Sequence, residues 1–303
     1  MTRGSTARFC CSSSDRASGA HVSEDRHVAA FIATICRRLD GIPLAIELAA
    51  ARTATLSIEE LAARLDDRFQ LLTGGRRTAL PRHQTLRATL DRSYELLPEP
   101  ERVVLRRLGV FPGAFSLEAA SAVVASVEVT PSEVVDGLAN LVAKSLVAVN
   151  VDSTVARYRL LDTTRAYAVE KLGESGESDR LARRHAEYGR DLLERAETEL
   201  DRPPTAEQVA DLGRLIDNLR AALDWAFSPD GDASIGVALT AATVPVWMNL
   251  SLMEECRGRV EQALPALGAG ANLDARREMQ LHAALGTSLI LTKALTPPRS
   301  PRR

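Results

Sequence analysis

The residue types that carry hydrolysis or phosphoryl transfer are present in this sequence, but they are not grouped as such chemistry requires. No phosphate-binding loop of the form G-x-x-x-x-G-K-[ST] occurs in the 303 residues. The nearest glycine pair, Gly74-Gly75, follows a predicted helix rather than a strand. The aspartates of Leu65-Asp66-Asp67 have helical spacing, unlike a magnesium ligand that ends a buried strand. The sequence therefore predicts no phosphoryl transfer by this chain.

Nucleophilic and metal-dependent hydrolysis are equally unsupported. The five histidines form neither an H-x-x-x-H nor an H-E-x-x-H pair, and no serine stands in a G-x-S-x-G turn. The four cysteines lack the spacing of metal ligands and stand at Cys10, Cys11, Cys36 and Cys256. We therefore predict that the chain is not an enzyme and holds no metal ion.

Composition favours a mainly α protein. Hydrophobic residues make up 45% of the chain but aromatic residues only 4%, which suits helices packed through small, unbranched side chains. The net charge of -2 creates no overall attraction to nucleic acid or to an anionic membrane. No signal peptide and no stretch long enough to span a membrane is found. We expect a cytoplasmic protein without membrane contact.

A helical subdomain is predicted over residues 24–80. Its first helix ends at Gly41, since glycine readily adopts the left-handed turn that follows a helix. Pro43 suits the first position of the next helix. Ser57, with Glu60 three residues later, predicts a capping box at the start of a third helix. These signals predict three short helices joined by tight turns.

Residues 81–173 show a different pattern, in which several helices are followed by two short alternating apolar runs. The runs, Ser145–Asn150 and Ala156–Leu161, are separated by a polar turn and predict a β-hairpin. The helix before them, Pro131–Lys144, begins with proline at a favoured position. This order of elements is that of a winged helix-turn-helix domain.

A further helical region is predicted over residues 174–291. Its helices follow one another with short joins, which indicates TPR-like helical repeats. Such repeats present concave surfaces to other proteins, so we expect a protein partner there. The Ser- and Arg-rich segment 1–23 and the Pro- and Arg-rich tail 292–303 are predicted to be disordered or atypical.

One segment of the helical subdomain is more specific than its surroundings. Residues Cys36 to Leu48 read CRRLDGIPLAIEL and closely resemble the GxP motif of the NB-ARC, or STAND-type, signalling ATPases. In that family the motif's proline lies against the bound adenine, so the resemblance implies an adenine contact at Gly41, Pro43 and Leu44. The same residues are also fully explained by local structure, as the end of one helix, the start of the next helix and part of an apolar core.

Other segments are similar to that family in the same order along the chain. Its first winged-helix elements are similar to Ser93–Leu97 and Leu108–Phe115. Its wing is similar to Tyr158–Arg165, and the start of its helical-repeat sensor region is similar to Asn218–Ala226. The resemblance covers about Glu24 to Leu291. It is closest to large bacterial transcriptional regulators that contain this ATPase core, which bind ADP or ATP.

Two departures limit what the resemblance implies. Where many family members have Met-His-Asp, with a histidine that contacts the β-phosphate, this chain has Leu160-Leu161-Asp162. Leucine cannot donate that hydrogen bond, so Asp162 is expected to cap the following helix. The P-loop domain that should precede Glu24 is also missing, which suggests a truncation, a frameshift or a misplaced start. We therefore expect no strong nucleotide binding by this chain alone.

Whether sequence-specific DNA binding is expected depends on the helix Pro131–Lys144. A recognition helix presents Arg, Lys, Asn or Gln to the groove. The polar face of this helix offers Ser132, Glu133, Asp136, Asn140 and Lys144, and its two carboxylates would repel phosphate. The opposite face forms the predicted core stripe of Val134, Val135, Leu138, Leu141 and Val142. DNA binding by this chain alone is therefore not expected.

Two functional hypotheses agree with these sequence features. The first is a non-catalytic regulatory and sensory fragment of a STAND-type ATPase transcriptional regulator, with nucleotide-switch control and protein interaction. The alternative is a stand-alone winged-helix regulator that binds DNA. Neither the signal, the promoter nor the oligomeric state can be predicted from the sequence.

Overall fold

The structure is a computed structural model, and it describes most of the chain between His21 and Ala294. The described residues are 21–39, 57–64, 90–151, 155–199, 206–267 and 275–294, with isolated positions at 46, 49–50, 53 and 87. Gly41, Pro43 and Leu44, where the adenine contact is predicted, lie outside them. Most of the two ends predicted to be disordered also lies outside.

The described chain is mainly helical, as predicted, with one small antiparallel hairpin. The helices before the hairpin are α1 (His21–Arg38), α2 (Ile58–Arg64), α3 (Glu99–Leu108), α4 (Leu117–Val124) and α5 (Pro131–Ala143). The hairpin pairs β1 (Val147–Asn150) with β2 (Arg157–Leu160). The helices after it are α6 (Asp162–Glu174), α7 (Ser178–Glu199), α8 (Ala206–Ala226), α9 (Ala233–Asn249), α10 (Met253–Leu267) and α11 (Ala275–Ala294).

Several helix limits differ from the sequence prediction. Helix α1 begins at His21, inside the segment predicted to be disordered, and α8 begins at Ala206 instead of Asp211. Asp162 is the first residue of α6 rather than the residue before it, and its carboxylate still suits the positive end of the helix dipole. The signals for helix ends fix position only to within a residue or two.

The chain divides into two compact units. The first contains the residues up to Gly109 together with 140–147 and 160–171, and the second contains 110–139, 148–159 and the residues from Leu172 onward. The division passes through α5 and α6.

In the first unit, α1 and α2 pack on a small apolar core. Ile35, Leu39 and Leu61 are almost completely buried there. The predicted capping box is confirmed, because the Ser57 N–H donates to a Glu60 carboxylate oxygen at 3.1 Å and the Glu60 N–H donates to the Ser57 hydroxyl at 3.1 Å. The box satisfies two backbone donors that the start of α2 would otherwise leave unpaired.

A polar network around Tyr167 holds α6 within the first unit. The Tyr167 hydroxyl donates to Asp91 Oδ1 at 2.8 Å, and Arg87 donates two hydrogen bonds to Glu170. Burial and the contact with Asp91 raise the pKa of Tyr167, while the Arg87 guanidinium lowers the pKa of Glu170. The buried hydroxyl of Tyr167 therefore has a partner, which is the condition for burial at modest cost.

In the second unit, α9 is the central helix. It contacts α7, α8, α10 and α11, and every residue from Ile235 to Thr243 is buried. A helix that is buried all round needs apolar residues on every face. Its two buried hydroxyls are satisfied internally, since Thr240 donates to the Gly236 carbonyl at 2.7 Å and Thr243 to the Leu239 carbonyl at 2.6 Å.

The start of α9 is fixed by Asp232. Its carboxylate accepts from the Ser234 N–H at 3.0 Å and from the Arg183 guanidinium at 2.8 Å. The Ser234 hydroxyl and then Arg183 lower the pKa of Asp232 to about 2. The cap therefore keeps its charge over the whole physiological pH range, where it also favours the helix dipole.

Gly231 stands directly before this cap, where there is no room for a side chain. A Cβ atom would lie 2.0 Å from the Trp225 carbonyl oxygen and 2.6 Å from that of Ala226. Because both obstacles are backbone atoms, a larger residue would force the turn between α8 and α9 to shift.

We predict that Gly231→Ala lowers the free energy of unfolding by about 1–3 kcal/mol, measured by urea denaturation. The matched control is Gly258→Ala in α10, where a Cβ would meet nothing within 4 Å. That exchange should raise stability by about 0.5–1 kcal/mol, because alanine favours a helix over glycine. Equal effects of the two exchanges would contradict the assigned turn.

Candidate nucleic-acid interface

Helix α5 begins at a second capping box, which the sequence analysis missed. The Thr130 N–H donates to the Glu133 carboxylate at 2.7 Å, and the Glu133 N–H donates to the Thr130 hydroxyl at 3.3 Å. The hydrogen bond from the Thr130 backbone lowers the pKa of Glu133. The signal was present in the sequence, since Thr130 and Glu133 have the T-x-x-E spacing of a capping box.

The outward face of α5 is acidic and partly apolar. Val134, Leu138 and Leu141 are buried as predicted. The assignment of Val135 to the core is wrong, because 38% of its surface is exposed. Asp136 lies next to it on the exposed side. This face therefore combines carboxylates with an apolar side chain, and α5 contains no Arg or Lys.

Lys144, which follows α5, is engaged in an ion pair within the first unit. Its ammonium group contacts the carboxylate of Glu101, and the Glu101 side chain is only 9% exposed. A nearly buried carboxylate needs a counter-charge, because an unpaired one would be costly to bury. Lys144 therefore has a structural role that competes with any contact to a phosphate.

In the second unit, Asn218 of α8 clamps the loop before α4. Its Oδ1 accepts from the Gly113 N–H at 3.1 Å, and its Nδ2 donates to the Ala114 carbonyl at 2.7 Å. Asn218 is buried, and its hydrogen bond with the Gly113 N–H is shielded from water, whereas the one to the Ala114 carbonyl is partly buried. The clamp joins two of the segments on which the family resemblance rests.

The loop continues into the hairpin. Phe115 forms an antiparallel bridge with Tyr158 of β2, with backbone hydrogen bonds of 2.9 and 2.8 Å. The rings of these two residues stack, and Phe111 stacks on Phe115 and meets the edge of His185. His185 is buried against this aromatic group. The bridge adds a third extended segment to the edge of the hairpin.

Helix α7 also contacts the end of α4. The Arg184 guanidinium donates to the carbonyl groups of Ala122 and Ala125. Carbonyl groups at a helix C-terminus lack partners within the helix, and an arginine supplies both donors and a favourable charge there. The end of α4 is thus held by a helix of the following helical region.

Comparison with known proteins identifies the central part of the chain. Residues 97–173 match the winged helix-turn-helix domain family. The β1–β2 hairpin is the wing of this domain, and the predicted fold class is confirmed. No solved structure matches the chain significantly.

Similar proteins come from mycobacteria. The chain is 46% identical over 229 residues to a Mycobacterium tuberculosis protein provisionally named HTH-type transcriptional regulator Rv0890c; the match covers 76% of this chain and 26% of that protein. It is 49% identical over 158 residues to the uncharacterized protein Rv0894 of the same species, covering 52% of this chain and 40% of that protein. The chain thus spans between a quarter and two fifths of these relatives.

These findings favour one of the two predicted functions. The domain match and the name of the relative agree with the alternative prediction, a winged-helix transcriptional regulator. They provide no evidence for an NB-ARC or STAND-type ATPase. The shared domain is shown for residues 97–173, and control by a nucleotide remains a hypothesis.

The predicted site residues Gly41, Pro43 and Leu44 all lie outside the described residues, so the adenine contact stays a prediction. Leu160 is buried at the end of the wing, where an apolar side chain offers no donor to a phosphate. The histidine, cysteine, aspartate and glutamate residues that the structure describes form no cluster able to hold a metal ion. Among the described residues, no helix has the length and apolar character needed to cross a bilayer.

We predict that Asn218→Ala lowers the free energy of unfolding by about 1–3 kcal/mol, because it leaves the buried Gly113 N–H and the partly buried Ala114 carbonyl without their partner. Urea denaturation measures this change. The matched control is Asn249→Ala, which removes an exposed side chain with one hydrogen bond to the Pro245 carbonyl and should cost less than about 0.5 kcal/mol. A neutral Asn218→Ala would refute the clamp.

Proposed function

We propose that this chain is a non-catalytic, regulatory part of a bacterial HTH-type transcriptional regulator, in which the winged helix docks on protein rather than reading DNA bases. The observation that carries the proposal is the exposed face of α5. Beside the one amide of Asn140, it presents Glu133, Val135 and Asp136, whereas a DNA-reading helix presents mainly cations and amides.

The helical region from α7 to α11 is proposed to bind a protein partner. Its last described helix, α11, exposes Met279, Ile290 and Leu291, two of them at 70%. Helical repeats bury such side chains against the next repeat or against a bound protein. This part is proposed to be TPR-like and to receive the regulatory signal.

Nucleotide-switch control is a further part of the proposal, and it is supported by the sequence resemblance alone. In the full regulator, a nucleotide-binding domain that this sequence does not contain would hold ADP or ATP. Gly41, Pro43 and Leu44 would add an adenine contact to that site, and the α5 face would dock on the nucleotide-bound core. The protein is expected to work in the cytoplasm, where these nucleotides are available.

The docking proposal predicts weak DNA binding without base specificity. Fluorescence anisotropy with a panel of labelled 30-bp duplexes should give dissociation constants no tighter than about 1 µM, the range of non-specific binding. Asn140→Ala in α5 should leave these constants unchanged, as should the control Asn249→Ala. A duplex bound below about 0.01 µM, with affinity lost in Asn140→Ala alone, would show that α5 reads bases.

The missing phosphate loop predicts no strong adenine-nucleotide site at Pro43 in this chain alone. Calorimetric titration of ADP and ATP with magnesium should therefore show no binding that Pro43→Ala weakens, up to about 1 mM, an affinity limit near -4 kcal/mol. Tight binding that Pro43→Ala abolishes would instead place a complete nucleotide site within these residues.

A further inference from the structure

The second unit contains a cavity that none of the functions above uses. Its volume is about 380 Å³, which lies within the size range of small-molecule sites. The wing supplies most of its wall, the loop before α4 supplies Ala114, and α8 supplies one residue. The lining residues are Ala114, Ala148, Val149, Asn150, Arg157, Arg159 and Arg214.

The cavity is strongly cationic. Three of its seven lining residues are arginines, and they come from two elements that are distant in the sequence. Arg157 and Arg214 share a single carboxylate, that of Asp211, and the Arg157–Asp211 distance is 3.6 Å. Among the described residues, these three guanidinium groups have one carboxylate as a partner, so two positive charges are uncompensated.

Arg159 is the arginine most available to a ligand. It is exposed, and it forms no ion pair or hydrogen bond with any residue that the structure describes. The cavity therefore offers a ligand the exposed guanidinium group of Arg159 as well as excess positive charge.

We propose that this cavity binds the phosphate group of a small anionic ligand. Guanidinium groups match the geometry of phosphate and bind it through paired hydrogen bonds. Asp211 holds Arg157 and Arg214 in place, so the ligand need not order all three side chains itself. Ala148 and Val149 give the wall an apolar part that suits the organic portion of such a ligand.

A ligand in this cavity would connect the wing to α8. The loop residue Ala114 is already held by Asn218 through its carbonyl group, so the cavity lies beside a rigid part of the unit. Binding would add contacts from β2 and from Arg214 at the same place. The site would thus couple occupancy by a phosphate-bearing ligand to the position of the wing.

The test is a calorimetric titration of the full chain with inorganic pyrophosphate in a buffer free of phosphate and sulfate. We expect saturable binding by the wild type and at least tenfold weaker binding by Arg159→Gln. Arg159 is exposed and unpaired among the described residues, so this variant should fold normally, as thermal melting would verify. Arg159→Lys should recover part of the affinity, since it restores the charge but not the paired hydrogen bonds.

The control is Arg190→Gln, which removes an arginine of α7 that pairs with Asp191 outside the cavity. It should leave pyrophosphate binding unchanged. Absence of saturable heat in the wild type, or equal losses in Arg159→Gln and Arg190→Gln, would overturn the proposal. So would binding of a 20-bp duplex that depends on Arg159 without any pyrophosphate binding, because the arginines would then serve a nucleic-acid backbone. None of these outcomes tests the separate proposal that the exposed face of α5 docks on protein.

Discussion

Two hydrogen bonds made by one side chain, Asn218, set the geometry of the second unit. The amide satisfies the buried N–H of Gly113 and the partly buried carbonyl of Ala114. Buried backbone groups must be paired, so this side chain stabilises the loop against α8. The bridge between Phe115 and Tyr158, the aromatic stack and one wall of the cavity all follow from where this loop is held.

Charge is distributed unevenly over the winged helix, and this bears directly on its function. The face of α5 that could enter a DNA groove carries Glu133 and Asp136, whereas the wing carries Arg157 and Arg159. Phosphate attracts the second surface and is repelled by the first. The proposed division of labour, protein docking at α5 and an anion at the wing, rests on this separation within one domain.

Local signals predicted the helices well, because capping and proline placement act over three or four residues. The Ser57–Glu60 box and Pro131 at the start of α5 both agree with the structure. The predicted burial of Val135 was wrong, because helical spacing shows which residues lie on the apolar face of a helix but not how wide that face is. The arginine cavity could not be predicted, because only the folded chain brings Arg157 beside Arg214.

The most direct test of this account is native-state hydrogen exchange at the Gly113 amide. Because this amide donates to a buried Asn218, it should exchange only when the second unit opens as a whole, with the same opening free energy as the amide of buried Trp247 in α9. Exchange of Gly113 at the rate of an unprotected amide, while Trp247 stays protected, would contradict the account and show that the loop moves independently of α8.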